Sequence, residues 1–155
     1  MEQIVQEMKH SAGLVIKTKS GKYLQCHCTG KPKGAYHTFD IPKGGIEGNE
    51  AALGACLREL QEETGLDWTH DKEKIERIVD LGVQDYVKGI KDLHVFFIEV
   101  DDDEIDPSEL RCQSFFTKAF GDRTVELPEV NGFQFSDDLN FYYKNLQNLI
   151  LNLSL

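Results

Sequence analysis

Three glutamates, Glu59, Glu62 and Glu63, are spaced so that their side chains share one patch of a helix surface. They stand at positions i, i+3 and i+4, which are neighbours on a helix. Like charges at this spacing repel by roughly a few tenths of a kcal/mol per exposed pair, and by more where water is excluded. A hard divalent cation such as Mg²⁺ is the simplest compensation, because it takes oxygen ligands and pairs with phosphate. Arg58 compensates only in part, since it reaches Glu62 but supplies a single positive charge.

The chain around these glutamates is predicted to form a loop followed by a helix. From residue 49 to residue 64, apolar residues recur every three or four positions and form one stripe. Asn49 is the predicted N-cap, and Gly65 is the predicted left-handed residue that ends the helix, with Leu66 packing back. Residues 42–45, Pro-Lys-Gly-Gly, form a permissive loop that can approach a ligand closely. The stripe comprises Leu53, Cys56, Leu57 and Leu60.

Glycines, glutamates and an arginine between Gly44 and Leu66 keep a definite spacing. The segment reads Gly44, five residues, Glu50, seven residues, Arg58-Glu59-Leu60, one residue, Glu62-Glu63, one residue, Gly65-Leu66. This pattern resembles a complete Nudix box, the signature of the Nudix hydrolases, and it fills every position of that signature. The alternative is an ordinary amphipathic helix with a solvated acidic face, which would require all these residues to fall in register by chance.

The predicted elements alternate between strands and helices in the order β, β, β, α, β, β, β, α. This order gives a mixed sheet between helices, and the resemblance implies the α/β Nudix fold, a sheet sandwiched between helices (α/β/α). At 155 residues the chain suits a single domain over residues 1–155. Strands are predicted at 12–18, 23–28, 36–43, 78–86 and 93–100, a polar connection at 67–76, a hairpin or lid at 111–127, and a helix capped by Ser136 at 137–153. Residues 129–135 resemble the late segment of the family, in which a glutamate precedes a short strand that ends in an aromatic residue.

Hydrolysis of a phosphoanhydride bond requires particular chemical groups in the site. The phosphate oxygens repel an attacking water, so the reaction needs cations to neutralise them, a base to activate the water and rigid positioning. By the resemblance, Arg58 orients the glutamates, and Glu129, which precedes a late strand, is a remote metal ligand or the general base. The Mg²⁺ or Mn²⁺ ligands that the resemblance implies are Glu59, Glu62, Glu63 and the backbone carbonyl of Lys43, and the same glutamates, with Glu129 and Arg58, form the catalytic set.

An aromatic residue before Pro-Lys-Gly resembles the branch of the family that hydrolyses dinucleoside polyphosphates, and its relatives that act on other polyphosphates or capped RNA ends. Here these residues are Phe39 and Pro42-Lys43-Gly44. Tyr86 is either a ring that stacks on the base or a strand-end aromatic residue, and the basic loop at 31–34 either contacts phosphate or is a plain turn. The substrate contacts that the resemblance implies are Lys33, Phe39, Lys43, Gly44, Gly45 and Tyr86.

The predicted function is metal-dependent hydrolysis of a nucleoside diphosphate linked to another moiety, with a diadenosine or other dinucleoside polyphosphate as the leading substrate. ADP-sugars such as ADP-ribose, nucleoside triphosphates and RNA 5′ ends stay open, because the box binds phosphates and says little about what is attached. A non-catalytic sensor of the same fold that binds a nucleotide is the alternative from another class. Such a sensor could lose Glu59, Glu62 or Glu63 without penalty, whereas this chain has all three.

The formal net charge of −10 argues against extended nucleic-acid binding and against anionic membranes, since both require a basic surface. The expected partner is a small-molecule nucleotide, and the protein is either a monomer or a homodimer. The chain lacks an apolar run of about 18 residues, and its start, Met1-Glu2-Gln3, lacks the features of a signal peptide. We therefore expect a cytoplasmic protein, in the host cytoplasm if the gene is viral.

Two further patterns invite a metal-site interpretation. Cys26 and Cys28 with a histidine would be a zinc site, but the paired ligand spacing is missing, so reduced structural thiols are predicted. The acidic run at 101–106 lacks the glycine and the bidentate glutamate of a calcium loop. It is predicted to be a solvated loop, and His94 is predicted to be structural.

Overall fold

The computed structural model of the protein describes residues 8–30, 39–87, 89–139, 142 and 144–153. Within these residues a mixed sheet carries helices on both faces, which confirms the predicted α/β class. The strands are β1 Lys9–Thr18, β2 Tyr23–Cys28, β3 Phe39–Asp40, β4 Lys43–Gly45, β5 Val79–Val87, β6 Lys91–Val100, β7 Phe115–Phe120, β8 Arg123–Pro128 and β9 Val130–Ser136. The helices are α1 Ala52–Thr64, α2 Lys72–Arg77 and α3 Lys144–Asn152, with a 3₁₀ turn at Pro107–Glu109.

The main sheet has the strand order β3-β2-β1-β6-β5, with β4 paired to β1 and β9 paired to β2. Strands β1 and β6 run parallel at its centre, in register from Lys9 opposite Lys91 to Thr18 opposite Val100, and the other pairs are antiparallel. Strand β6 contains the whole of the strand predicted at 93–100. Strands β7 and β8 form a separate two-stranded hairpin, as predicted for this region.

Two apolar cores lie on opposite faces of the sheet because successive residues of a strand point to opposite sides. The first core joins Leu14 and Ile16 of β1 to the apolar stripe of α1. The second joins Val15 of β1 to Leu146 and Ile150 of α3. The predicted stripe is thus confirmed, and its burial turns the acidic side of α1 toward the loop that precedes it.

The start of α1 differs from the prediction. The helix begins at Ala52 with Ala51 as N-cap, and no side chain caps it, so Asn49 is not the cap. The reason is a turn just before the helix, in which the amide of Glu50 donates to the carbonyl of Glu47 at 2.9 Å and the amide of Glu47 donates to the Glu50 carboxylate at 3.1 Å. This turn places the Glu50 side chain where Arg58 binds it.

The end of α1 agrees with the prediction. Gly65 has φ +83 and its amide donates to the carbonyl of Gln61 at 2.8 Å, while Leu66 packs against the first core. A Cβ at position 65 would lie 3.0 Å from the carbonyl oxygen of Arg111. Glycine is therefore required here both for its left-handed backbone and for the close approach of another segment.

The predicted polar connection at 67–76 is wrong, because it contains most of α2. Asp71 caps this short helix by accepting from the amide of Lys74 at 3.1 Å. Lys74 and Arg77 then bind Glu104 at 2.6 and 3.2 Å. The acidic run at 101–106 is therefore tied to α2 through Glu104 and is not wholly solvated.

Three other boundaries also differ. Strand β1 begins at Lys9, three residues before the predicted start at residue 12. The strand predicted at 36–43 is divided into β3 and β4, with residues 36–38 outside the described part. Ser136 ends β9 and accepts from the amide of Asp138 at 3.0 Å, whereas α3 begins only at Lys144. Among the described residues, no helix is both long and apolar enough to cross a membrane.

Candidate active site

Helix α1 brings Glu59 and Glu63 against the loop that precedes it, and each residue is only 8% exposed. The amide of Lys43 donates to the Glu63 carboxylate at 3.1 Å. Gly44 lies so close to Glu59 that a Cβ at position 44 would overlap the Glu59 carboxyl group. Because β4 pairs with the central strand β1, the loop and the helix are held together by the main sheet.

Arg58 joins the box glutamates into one network. Its Nε donates to Glu50 at 2.9 Å, and its Nη1 donates to Glu59 at 2.9 Å and to Glu62 at 3.3 Å. Its Nη2 donates to the carbonyl of Gly45 at 2.8 Å. The hydrogen bonds that Arg58 donates to Glu50 and Glu59 raise the pKa of Arg58 far above its ordinary value. The predicted orienting role of Arg58 stays a prediction, and this network is the geometry that such a role needs.

Burial destabilises the ionised forms of the two glutamates that face the loop. Burial raises the pKa of Glu63 to about 8, although the amide and ammonium groups of Lys43 lower it in part. Burial also raises the pKa of Glu59, against the lowering effect of Arg58. A nearby cation favours the ionised form of a carboxylate, so the electrostatics of this site favour the arrival of a positive charge.

The donor set fits a divalent cation of the Mg²⁺ type, which prefers carboxylate oxygens. Across the described ranges, however, no three side chains of His, Cys, Asp or Glu already converge as a metal-binding group. Arg58 holds the oxygens of Glu59 and Glu62, and the Lys43 amide holds an oxygen of Glu63. The ligand set predicted from the sequence, including the Lys43 carbonyl and Glu129, therefore stays a prediction.

A cleft of about 210 Å³ opens beside Glu63 and brings together residues from distant parts of the chain. Glu129 lines it, and hydrogen bonds to Ser114 at 2.9 Å and Thr29 at 3.1 Å hold the backbone of Glu129 in place. The structure thus places Glu129 in the same cleft as Glu63, and its role as metal ligand or general base stays a prediction. The lining residues are Cys26, Cys28, Asp40, Ile41, Lys43, Gly44, Glu63, Lys91, Glu129 and Val130.

Sequence reasoning missed Asp40 and Lys91 in this cleft. Asp40 accepts from the hydroxyl of Tyr86 and lies 3.5 Å from the ammonium of Lys43. Burial lowers the pKa of Lys91. For Lys43, burial also lowers the pKa, but Asp40 and Glu63 raise it more, so its net pKa is raised. No spacing in the sequence relates Lys91 to the box, because the two meet only through the β1–β6 pairing.

The predicted base-stacking residue Tyr86 has other contacts. It is 7% exposed, and the ammonium groups of Lys43 and Lys91 lie 4.6 and 5.6 Å from its ring centroid. Phe39 is also buried, and its ring packs edge-on against the ring of His27, with ring centroids 5.2 Å apart. The stacking role of Tyr86 and the substrate contact of Phe39 stay predictions, and Lys33 lies outside the described residues.

The cysteines and His94 have structural surroundings. All four cysteines are free, and burial raises the pKa of Cys26 well above its ordinary value. His94 stacks on Phe96 with ring centroids 4.6 Å apart and binds Asp80 at 2.7 Å. Both observations agree with the structural roles predicted for these side chains.

Comparison with known proteins relates this arrangement to one family. The family model described as the NUDIX domain matches residues 8–120. An RNA pyrophosphohydrolase of Bartonella henselae is 36% identical over 62 residues, which cover 37% of this chain and 36% of that protein. The chain thus spans only about a third of the length of this curated relative. A single domain over residues 1–155 stays a prediction.

Solved structures share the fold. The NUDIX domain of Shewanella oneidensis NrtR complexed with ADP ribose superposes with a TM-score of 0.62 at 14% identity, covering 97% of this chain and 89% of that one. A binary complex of a C. elegans Ap4A hydrolase superposes with a TM-score of 0.58 at 18% identity, covering 95% of this chain and 96% of that one. The MutT protein from Methanosarcina mazei Go1 superposes with a TM-score of 0.62 at 12% identity, covering 98% of this chain and 96% of that one.

Proposed function

The chain belongs to the NUDIX domain family, and from this premise we propose that it is a metal-dependent nucleotide pyrophosphohydrolase. The proposed reaction is hydrolysis of a phosphoanhydride bond in a nucleoside diphosphate linked to another moiety, with Mg²⁺ or Mn²⁺ as cofactor. The observation that carries the proposal is the meeting of buried Glu63 with Lys43, Lys91 and Glu129 in one cleft beside Glu59.

Glu59 and Glu63 would hold the cation, with Glu62, the Lys43 carbonyl and Glu129 as further candidate ligands. When bound, the cation neutralises phosphate oxygens and lowers the pKa of a coordinated water. Its positive charge also suits the two carboxylates, whose pKa values burial raises. This assignment agrees with the sequence resemblance and with the acidic face that the apolar stripe turns toward the box loop.

The remaining residues have roles that follow from their positions. Lys43 and Lys91 present ammonium groups to the cleft, where they attract the phosphate oxygens of a substrate. Glu129 is exposed on the cleft wall, so it is the proposed base that takes a proton from the attacking water. Arg58 holds Glu59 through its bonds to Glu50 and to the box loop, which keeps the carboxylate in one orientation.

The leading substrate is a dinucleoside polyphosphate, because Phe39 and Pro42-Lys43-Gly44 resemble the branch of the family with that activity. A triphosphorylated RNA 5′ end is the second candidate, since the 36% identical relative bears the name RNA pyrophosphohydrolase. The net charge of −10 weighs against contacts with a long RNA but not against a short 5′ end. The proposed partner is in either case a nucleotide.

The test is phosphate release from a panel of substrates with Mg²⁺, with Mn²⁺ and with neither. The panel contains diadenosine polyphosphates, ADP-ribose, nucleoside triphosphates and triphosphorylated RNA. We expect metal-dependent turnover that falls by about a hundredfold or more in a Glu62→Gln, Glu63→Gln double variant, while its circular dichroism spectrum stays unchanged. If triphosphorylated RNA is hydrolysed faster than the diadenosine polyphosphates, RNA replaces the dinucleotide as the proposed substrate and the proposed mechanism is unchanged. Nucleotide binding without turnover of any substrate would favour the sensor.

A further inference from the structure

A second cavity, of about 380 Å³, lies next to the proposed cleft. Phe115 and Pro128, which pair at the root of the β7–β8 hairpin, form one of its walls, and Val130 and Phe133 of β9 form another. We call this cavity the hairpin groove. Its volume and its mainly apolar lining with a few polar groups are typical of small-molecule sites.

The hairpin groove and the cleft are adjacent. Val130 lines both, and the residue before it, Glu129, belongs to the cleft wall. The amide of Glu129 donates to the carbonyl of Ser114 at 2.9 Å, which ties the cleft wall to the start of the hairpin. A nucleotide whose phosphates occupy the cleft would therefore have the hairpin groove next to it, on the other side of Val130.

The charge of the hairpin groove differs from that of the chain. Acidic residues outnumber basic ones by 27 to 17 in the sequence, yet no acidic side chain is among the described residues that line this cavity. Arg111 contributes a positive charge, and its Nη1 donates to the carbonyls of Ser108 and Leu110 at 2.7 Å each, which fixes the guanidinium. Such a lining does not suit a metal ion, and it suits a planar ring with polar edges.

Phe115 is an exposed aromatic residue on the wall of the hairpin groove, and aromatic rings of this kind stack on planar ligands. It is 51% exposed although it lines a cavity, which is an unfavourable position for an apolar ring in water. The buried ring of Tyr86, in contrast, lies among the lysines of the cleft. Stacking on an aromatic ring tightens the binding of a base by about five- to 150-fold.

We propose that the hairpin groove binds the nucleobase of the substrate, with Phe115 as the stacking residue. The proposal rests on the proposed function, because it places the phosphates of the same nucleotide in the cleft. The base is then recognised by residues at the root of the hairpin. Tyr86 does not contact the base in this proposal, and its ring packs against the ammonium groups of Lys43 and Lys91.

Calorimetric titration of the full chain with two probes tests this proposal. Adenosine 5′-monophosphate and ribose 5-phosphate share the sugar and the phosphate and differ only in the base. We expect the wild type to bind the nucleotide about tenfold or more tightly than the sugar phosphate. Phe115→Ala should reduce this difference to about twofold or less, and Phe115→Tyr should restore it, since tyrosine keeps the aromatic face.

Phe120→Ala is the matched control, because Phe120 lies on the same hairpin, is 52% exposed and does not line the hairpin groove. This variant should keep the wild-type preference. Equal affinity of the wild type for both probes, binding of neither probe, or equal losses in Phe115→Ala and Phe120→Ala would each overturn the proposal.

The outcomes separate this proposal from the proposed function. If no substrate is hydrolysed but Phe115→Ala still abolishes the preference for the nucleotide, the proposed function fails and the base site stands. If hydrolysis is metal-dependent and is lost in the double glutamine variant while both probes bind equally, the enzyme stands and the base site fails.

Discussion

The carboxyl group of Glu59 lies directly against the backbone of Gly44, so that a single Cβ at position 44 would overlap it. This contact joins the box loop to the box helix at the point where the proposed cation site lies. Glycine is required at position 44 because a side chain would not fit there. Its backbone does not require glycine, since the φ of Gly44 is not in the left-handed region. The spacing of the sequence motif thus has a direct steric cause.

Gly44→Ala should therefore disable the site while the fold remains. The added methyl group must displace Glu59 or the loop, and a displacement of about 1 Å at a reacting centre costs about a hundredfold in rate. We expect a loss of that size in kcat/KM, with the melting temperature changed by only a few degrees. Gly54→Ala on the same helix is the control, because its Cβ would meet only the Cγ of Glu50, at 3.9 Å. Equal activity of the two variants would contradict the steric argument.

Arg58→Lys should weaken the site because one ammonium group cannot replace a guanidinium that bonds Glu50, Glu59 and the carbonyl of Gly45 together. We expect kcat/KM to fall by about tenfold or more and the free energy of unfolding to fall by about 1–2 kcal/mol. Steady-state kinetics and urea denaturation measure the two effects.

The control for this variant is Arg77→Lys, since Arg77 also binds two carboxylates and a backbone carbonyl, but at the end of α2, away from the cleft. It should lose stability and keep full activity. If Arg58→Lys is less stable but keeps full activity, Arg58 supports the fold and has no positioning role in the site.

Lys91→Gln should weaken substrate binding more than turnover, because Lys91 lines the cleft but lies outside the carboxylate network. Loss of one charged contact to phosphate costs about 1.5–3 kcal/mol, so we expect KM to rise by about tenfold or more with a small change in kcat. Lys118→Gln, an exposed position on the hairpin, is the control and should leave KM unchanged. A fall in kcat with KM unchanged would contradict the assignment of Lys91 to binding.

Glu104→Gln should reduce stability in a way that depends on pH. Burial raises the pKa of Glu104, but hydrogen bonds from Lys74 and Arg77 lower it more, to about 2, against an ordinary value of 4.5. A carboxyl group with a depressed folded-state pKa contributes stability above its unfolded pKa and loses it as the pH falls through the folded value. The variant should thus be less stable by about 1–2 kcal/mol at pH 7.

This difference should narrow as the pH falls from about 4.5 toward 2, which urea denaturation of both proteins at pH 7, 4.5 and 3 would measure. Glu126→Gln on the exposed hairpin provides the comparison and should cost little at any pH. A cost for Glu104→Gln that is the same at all three values would show that the ion pairs are not its source.

Local patterns in the sequence determined the box and the helix that carries it. The three- and four-residue spacing of Cys56, Leu57 and Leu60 predicts a buried stripe, and Glu59 and Glu63 lie at the edge of this stripe, where they are buried as well. These features depend on neighbours within a few turns of one helix, so a single sequence reveals them. The late glutamate, Glu129, was found only through the resemblance to a family.

Tertiary structure alone decided the rest of the cleft. Lys91 reaches the cleft because β6 pairs in parallel with β1. Glu129 lines the same cleft because β9 pairs with β2, where Cys28 lies opposite Val130. The start of α1, in contrast, was set by the local turn in which Glu47 and Glu50 bond to each other. Contacts across strands depend on register between distant segments, and no spacing within one segment encodes that register.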